Sequence, residues 1–319
     1  MEWQAYAIGM RARFRGLTVR EGMLLRGPAG WGEWSPFWDY DPAKSLPWLR
    51  AAYEAAHETL PAARRTLIPV NCTVPAVSPA RARRIVVASN GCRTAKVKVA
   101  EPGQSLTDDL DRVAAVREAL GPRGRVRVDA NGAWTVEDAV SAIARLDRAA
   151  GGLEYVEQPC RAVADLSAVR RRVAVPIAAD ESIRNADDPF RVKALEAADI
   201  AVLKVQPLGG VAACLRIAEQ IGLPVVVSSA LETSVGIAAG VALAAALPEL
   251  HYACGLATVQ LLERDVVAEP LLPVDGALPI RRPEPTAELL AAATASDTAA
   301  RRWTARLAAV EALRHDQHS

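Results

Sequence analysis

Hydrophobic and polar positions alternate regularly from about residue 68 onward. Short runs rich in Val and Ile are separated by longer amphipathic segments rich in Ala, Arg, Leu and Glu. The short runs predict strands at residues 68–73, 94–99, 125–130, 153–157, 175–180, 200–205, 224–229 and 256–261. The longer segments predict helices at residues 107–120, 135–149, 162–172, 189–197, 211–221 and 234–246. Because strands that alternate with helices form βαβ units, the pattern predicts an α/β fold with a parallel sheet.

The spacing of the strands, with helix-capping residues between them, favours a closed barrel. Thr107 and Thr135 lie where helix N-caps are expected, and Gly121 and Gly222 follow expected helix ends. The strands recur roughly every 25 residues, as consecutive units of a (β/α) barrel would. Since no glycine-rich phosphate loop opens any helix, a dinucleotide or P-loop site is not expected.

The two ends of the chain follow a different pattern. Residues 2–10 and 21–27 predict antiparallel strands, and residues 43–60 predict a helix, which is an α+β arrangement. Residues 286–315 form an Ala, Leu and Arg helix pattern with no strand partner. We therefore predict an α+β capping domain at residues 1–66, completed by residues 281–319, and a barrel domain at residues 67–280.

Composition and charge limit the classes of molecule that the protein is expected to bind. Hydrophobic residues make up 51% of the 319 positions and the formal net charge is +1, so neither nucleic acid nor a membrane surface is an expected partner. The longest uncharged stretch, residues 233–248, is shorter than the ~18 residues that a membrane span requires, and we predict a buried helix there. No signal peptide pattern opens the chain, and the five cysteines include no close pair. These features predict a cytoplasmic protein with buried thiols.

Lysine is rare, and its placement is unusual. The chain has 38 basic residues, of which only Lys44, Lys96, Lys98, Lys193 and Lys204 are lysines. Three of the five lie in apolar, strand-like runs at residues 95–99 and 202–205. Arginine stays protonated and cannot serve as a base, whereas lysine can. Lysines kept inside strands therefore indicate a role in proton transfer.

Charged residues end five consecutive predicted strands. In a parallel barrel these ends meet at one mouth, where catalytic groups lie. The residues in chain order are Lys96 and Lys98, Asp129, Glu157, Asp180, and Lys204. Three converging carboxylates repel one another unless a cation neutralises them, and oxygen ligands without His or Cys suit Mg²⁺, with Mn²⁺ as a substitute. Asn131, Glu181 and Gln206 are predicted to support these groups rather than to react.

The flanking lysines predict a reaction type. An ammonium group in a partly desolvated site near other cations has a lowered pKa and can act as a general base. A base on one side, a second lysine opposite and a divalent ion between them can remove a proton α to a carboxylate and hold the resulting enediolate. The expected partner is therefore a small-molecule carboxylate.

These motifs together resemble those of the enolase superfamily, in its muconate-lactonising-enzyme subgroup. The resemblance rests on Lys96-Val97-Lys98, Asp129-Ala130-Asn131, Glu157-Gln158-Pro159, Asp180-Glu181-Ser182 and Lys204. It implies a modified TIM barrel, (β/α)₇β, beneath an N-terminal α+β capping domain. It also implies that Asp129, Glu157 and Asp180 bind Mg²⁺, with Lys98 and Lys204 on opposite faces of the substrate.

Three further segments are similar to the o-succinylbenzoate synthase family within that subgroup. They are residues 13–22, residues 30–37 and residues 228–234. The similarity implies dehydration of 2-succinyl-6-hydroxy-2,4-cyclohexadiene-1-carboxylate in menaquinone biosynthesis, with Lys98 as the base and the loops at residues 14–18 and 34–38 closing over the mouth. The residues expected to contact the substrate are Lys96, Ser228, Ser229, Gly209 and Gly210.

Other functions use the same catalytic set. An N-acylamino-acid racemase or dipeptide epimerase also places one lysine on each face of its substrate. A muconate-type cycloisomerase is a second alternative, which the short chain disfavours. A barrel that only binds a ligand would be expected to lack a base or a metal ligand, and here none is missing.

Overall fold

The computed structural model describes residues 2–185 and 189–316, leaving out the side chains of residues 315 and 316. At the N-terminus, a three-stranded antiparallel sheet lies against one helix. Its elements are β1 (Trp3–Phe14), β2 (Leu17–Gly27), β3 (Gly30–Trp34) and α1 (Pro42–His57). A Cβ at Gly32 would come within 2.0 Å of the Ala52 carbonyl oxygen, so glycine lets β3 pack directly on the α1 backbone.

The barrel begins after a short strand, β4 (Leu67–Pro69). Seven parallel strands follow in chain order around the sheet. They are β5 (Cys72–Val74), β6 (Thr94–Lys98), β7 (Arg125–Asp129), β8 (Leu153–Glu157), β9 (Ile177–Ala179), β10 (Ile200–Lys204) and β11 (Val225–Ser228). The strand predicted at residues 68–73 is in fact two strands, because β4 pairs antiparallel with a later strand, β12 (Ala277–Pro279), instead of joining the barrel.

Helices cover the outside of the sheet and connect its strands. They are α2 (Pro79–Val87), α3 (Leu106–Leu120), α4 (Val136–Ala150), α5 (Val163–Arg170), α6 (Glu181–Arg184), α7 (Arg191–Ala194), α8 (Val205–Leu208), α9 (Val211–Ile221) and α10 (Ser234–Ala246). Thr135 caps α4 as predicted, but Ser105 rather than Thr107 caps α3 because it forms a reciprocal capping box with Asp108. The predicted helix at residues 189–197 is a single short turn.

The eighth predicted strand, at residues 256–261, is wrong. Residues Ala257–Leu261 form a 3₁₀ helix instead. Two residues, Cys254 and Gly255, close the barrel: Cys254 pairs with Val70 and Gly255 with Ser228. The chain then leaves the barrel for the capping sheet, where Glu263 N donates to the carbonyl of Gly9 at 2.9 Å.

The C-terminal helices pack on the capping sheet. They are α11 (Ala287–Ala293) and α12 (Asp297–Asp316). The predicted helical tail is divided because Thr294 forms a β-bridge with Tyr6 and Ala295 N donates to the Ala5 carbonyl. Trp303 of α12 is fully buried and contacts Trp34 edge-on, with ring centroids 5.4 Å apart. The boundaries at residues 66 and 280 stay predictions.

The structure confirms two predictions that were made from the composition. Every residue of α10 is buried, as predicted for the uncharged stretch, and all five cysteines are buried as free thiols. Among the described residues, no helix combines the length and apolarity needed to cross a membrane. The cytoplasmic location stays a prediction.

Candidate active site

The predicted strand-end residues lie side by side at one end of the barrel. In the parallel register Lys98 is paired with Asp129, and Asp129 with Glu157. Asp180 directly follows β9, while Lys204 ends β10 opposite Ser228 of β11. Because the carboxyl ends of parallel strands share one edge, five positions spread over about a hundred residues of sequence form one cluster.

Each carboxylate of the cluster is paired with a lysine. Lys98 Nζ lies 2.5 Å from Asp129 Oδ2, and Lys204 Nζ lies 2.6 Å from Asp180 Oδ2. Lys96 Nζ bridges two carboxylates, at 3.0 Å from Glu157 Oε1 and 3.2 Å from Asp129 Oδ2. The three acidic side chains are at most 1% exposed. Ammonium groups therefore neutralise a cluster of buried negative charge.

Burial and neighbouring charge move the pKa values of this cluster in different directions. Burial, with a further contribution from Lys96, lowers the pKa of Lys98 despite its carboxylate partner. Burial also opposes ionisation of Asp129, but Lys98 and Lys96 outweigh it and hold the pKa of that carboxyl well below its usual range. Burial and then the Asp129 charge raise the pKa of Glu157. The environment of Lys98 thus favours loss of its proton.

One of the predicted supporting residues, Asn131, contacts the cluster, and a second, Glu181, contacts Asn131. Asn131 Oδ1 accepts a hydrogen bond from Lys98 Nζ at 2.7 Å, and Asn131 Nδ2 donates to Glu181 Oε1 at 3.2 Å. Asn131 has a φ of 48°, a left-handed conformation that Asn tolerates better than most residues. The pair therefore links Lys98 to the turn that follows Asp180.

A cavity of about 1280 Å³ opens above the cluster. Its wall includes Lys96, Lys98 and Lys204 from the barrel, together with Ser228 and Ser229 from the end of β11. The capping domain contributes a further group to the wall, namely Phe14, Arg15, Phe37, Asp39 and Tyr40. Within the described residues the wall carries five arginines and four lysines against three acidic side chains, which suits an anionic ligand.

Three predicted residues are not brought to this cavity. Gly209 and Gly210 lie against α1, where a Cβ on Gly210 would overlap the Glu54 carboxylate. Gln206 faces the capping domain, since its Oε1 accepts from Ser35 N at 3.2 Å and its Nε2 donates to Ser35 Oγ at 3.3 Å. Gln206, Gly209 and Gly210 therefore join the barrel to the capping domain, while Pro207 between them lines the cavity.

Comparison with known proteins identifies the family. Residues 79–285 match the family described as enolase C-terminal domain-like, and residues 5–56 match enolase N-terminal domain-like. An o-succinylbenzoate synthase of Thermobifida fusca is 64% identical over 312 residues, covering 98% of this chain and 96% of that protein. An o-succinylbenzoate synthase of Mycolicibacterium smegmatis is 57% identical, covering 96% and 94%. The chain belongs to the o-succinylbenzoate synthases of the enolase superfamily.

Solved structures of more distant proteins share the fold of this o-succinylbenzoate synthase family member. Muconate lactonizing enzyme from Pseudomonas fluorescens superposes with a TM-score of 0.78 at 22% identity, over 92% of this chain and 98% of that one. A dipeptide epimerase from Enterococcus faecalis, solved with Mg and a dipeptide, gives 0.76 at 23% identity over 89% and 97%. They confirm the (β/α)₇β barrel with its capping domain. The racemase, cycloisomerase and ligand-binding alternatives are not favoured by the closer relatives.

The three carboxylates fit a divalent cation by their chemistry. Within residues 2–185 and 189–316, no group of three His, Cys, Asp or Glu side chains is arranged to hold a metal ion, because each carboxylate turns toward a lysine. The donor set of Asp129, Glu157 and Asp180 consists only of carboxylate oxygens, and these are almost fully buried. The raised pKa of Glu157 indicates that further positive charge here would be favourable.

The sequence patterns did not predict two residues that orient Asp180 at the carboxyl end of the sheet. Gln158 Oε1 accepts from Asp180 N at 3.0 Å, which fixes the turn after β9. Arg184 Nε donates to Asp180 Oδ1 at 2.9 Å and also binds Glu181 and the Tyr40 hydroxyl. The four-residue spacing between Asp180 and Arg184, one helical turn, is a signal that could have revealed the second contact.

Proposed function

We propose that the protein catalyses the divalent-metal-dependent dehydration of 2-succinyl-6-hydroxy-2,4-cyclohexadiene-1-carboxylate to 2-succinylbenzoate. The observation that carries the proposal is the near full-length match to o-succinylbenzoate synthases at 57–64% identity. The buried carboxylates between two lysines, under a cationic mouth, support the same reaction.

Lys98 is assigned as the base. It removes the proton α to the ring carboxylate, so that the C–H electron pair moves into an enediolate. Burial lowers the pKa of Lys98, which favours the neutral amine that a general base requires. Its side chain is 14% exposed and lines the cavity, so a substrate can reach it.

Lys204 is assigned as the electrostatic partner on the other side of the site. Its ammonium group also lines the cavity, and Asp180 holds it at 2.6 Å. A fixed positive charge aimed at the developing enediolate lowers the barrier without reorganisation of water. Lys96 bridges Glu157 and Asp129, so we assign it to orienting those carboxylates, with contact to a substrate carboxylate as a second role.

Asp129, Glu157 and Asp180 would hold the divalent cation, with Mg²⁺ preferred and Mn²⁺ as a substitute. When bound, that cation supplies positive charge opposite the carboxylate oxygens of the substrate. The other steps belong to the chain itself. Ser228 and Ser229 are assigned to bind the substrate carboxylates, since both line the cavity.

The last step expels water. The C–O bond breaks, and the hydroxide takes the proton that Lys98 removed, which regenerates the neutral amine and leaves the aromatic product. One molecule of water is lost and no oxidant or reductant is consumed. The driving force is aromatisation of the ring, so the enzyme needs only to make the α-proton removable.

Direct assay of the purified protein tests the proposal. With Mg²⁺ present, the cyclohexadiene acid should be converted to 2-succinylbenzoate, followed by loss of the diene absorbance and by mass spectrometry of the product. Absence of that conversion, together with racemisation of N-succinyl amino acids by the same preparation, would contradict it. A chelated sample of the same protein serves as the control.

A further inference from the structure

One wall of the cavity is built by a short stretch of the capping domain. Residues 35–40, here called the capping segment, follow β3 and precede α1. Phe37, Asp39 and Tyr40 of this segment line the cavity. The segment contains no strand or helix of its own, so the conformation it presents to the site must be fixed by contacts with other parts of the molecule.

Arg306 of the C-terminal helix α12 supplies several of those contacts from outside, and Gln206 supplies others to Ser35. Its guanidinium donates to three backbone carbonyls of the capping segment, those of Pro36 at 3.0 Å, Phe37 at 2.7 Å and Tyr40 at 2.7 Å. A fourth bond reaches Ser45 Oγ in α1 at 3.0 Å. Because the donors of a guanidinium form a rigid planar fork, acceptors that bind it together are held in one relative geometry.

Aromatic rings surround the same guanidinium. Its central carbon lies 5.0 Å from the ring of Trp38, 5.3 Å from that of Trp303 and 6.0 Å from that of Trp34. Burial lowers the pKa of Arg306 to about 10, yet the group stays charged at neutral pH. Hydrogen bonds from a partly desolvated cation to carbonyl oxygens are stronger than those between neutral groups.

The inner side of the capping segment contacts two arginines, one of which binds the proposed metal ligand Asp180. Arg15, in the turn between β1 and β2, lies 4.0 Å over the Phe37 ring and pairs with Asp39 at 3.3 Å. The Tyr40 hydroxyl accepts a hydrogen bond from Arg184, which in turn holds Asp180. The segment therefore lies between Arg306 on the outside and the Asp180 carboxylate within.

We propose that Arg306 is a positioning residue for the active site. From the C-terminal helix it fixes the capping segment as a static wall, against which the turn carrying Arg15 and Phe14 packs. Through Tyr40 and Arg184 that wall also sets the orientation of Asp180. The inference rests on the proposed function of the cavity, and it assigns to α12 a role in substrate binding.

Hydrogen exchange of the intact protein, without substrate, tests the structural step. Replacing Arg306 by Ala should raise amide exchange in peptides covering residues 35–45 by about tenfold or more, because bonds from a charged donor are lost. The matched control is Arg302→Ala, one turn earlier on α12, which removes an exposed guanidinium stacked on Trp38 of the same segment at 4.3 Å but none of the three bonds to its carbonyls. Exchange that rises no more in R306A than in R302A would overturn the proposal.

Kinetics and product binding test the functional step. R306A should raise the KM for the cyclohexadiene acid about tenfold while kcat falls less, since the segment shapes the binding wall and Lys98 is untouched. Free guanidinium ion should partly restore KM in R306A and have no effect on R302A. If R306A does not fold, Arg306→Lys, which keeps the charge and loses the fork, should give a smaller change in the same direction.

Two further readouts separate this inference from the proposed function. Affinity for 2-succinylbenzoate, measured by calorimetry with Mg²⁺, should weaken in R306A even if the wild-type protein shows no dehydration. Tyr40→Phe should weaken it as well, because the bond to Arg184 is removed. Tyr53→Phe, which breaks a bond from α1 to Glu311 of α12, should not. Unchanged product affinity and unchanged KM in R306A would refute the positioning role.

Discussion

The Glu33 carboxylate of the capping sheet accepts hydrogen bonds from Thr233 at the start of barrel helix α10. The Thr233 hydroxyl lies 2.6 Å from Glu33 Oε2, and Thr233 N lies 3.1 Å from the same atom. Gly236 N also donates to this oxygen, at 3.1 Å. Because α10 is buried along its whole length, its first amide groups cannot bind water, and a side chain about 200 residues away satisfies them.

Replacing Glu33 by Gln should therefore destabilise the whole protein. The amide offers one acceptor oxygen where the carboxylate offers two, so buried donors on α10 and the Tyr6 hydroxyl lose partners. We expect the free energy of unfolding to fall by about 2–3 kcal/mol, measured by urea denaturation. The exposed Glu284→Gln is the matched control. A change no larger than that of the control would mean that the hydrogen bonds from α10 to Glu33 contribute little to the free energy of unfolding.

Glu232 should make the stability depend on pH. Burial, and then the charge of Glu33, raise its pKa to about 7 in the folded protein. A carboxyl whose folded pKa is raised binds its proton more tightly when folded, so its contribution is most favourable at low pH and is lost as pH rises from about 4.5 to about 7. Glu232→Gln mimics the protonated form and should be insensitive to this titration.

The measurement is the difference in unfolding free energy between Glu232→Gln and wild type at several pH values. Taking the difference removes the titrations that both proteins share. The difference should shift in favour of the variant by on the order of 2 kcal/mol between pH 4.5 and pH 8. A difference that stays constant over this range would show that folding does not raise the pKa of Glu232.

Replacing Lys98 should abolish turnover without unfolding the protein. Both Lys98→Ala and Lys98→Arg lack a group that can accept the α-proton, and a general base contributes about 10² to 10⁴-fold to the rate. Loss of the α-proton signal of the cyclohexadiene acid, followed by NMR, should disappear together with formation of the aromatic product. Lys193→Ala, at an exposed lysine on α7, is the control and should retain both. Turnover that survives in Lys98→Arg would assign the base elsewhere.

Removal of divalent metal should stop the reaction and leave the fold in place. Lys96, Lys98 and Lys204 already neutralise the three carboxylates, so the cluster does not depend on a cation to remain buried. Treatment with EDTA should eliminate detectable turnover, and Mg²⁺ or Mn²⁺ should restore it. Near-UV circular dichroism should stay the same throughout. Loss of the near-UV signal on chelation would instead indicate a structural metal.

Much of the fold and the clustering of the charged strand-end residues could be predicted from the sequence. Strand and helix leave periodic patterns within a few residues, and Thr135 caps α4 through a bond to Asp138 three positions away. The convergence of Lys98, Asp129 and Lys204 follows from topology alone, since parallel strands in one barrel must end at one edge. The scarcity of lysine made those positions conspicuous.

Tertiary structure alone decided the contacts that join distant segments. The closing strand is reduced to Cys254 and Gly255 because the chain turns away to pair with Gly9, and Gly210 packs on Glu54 instead of lining the mouth. Arg306 and Glu33 act on partners more than 190 residues away. Local pattern determined which elements form and where their ends meet. Which loop faces the substrate, and what holds it, depended on packing between elements, for which the sequence carries no periodic signal.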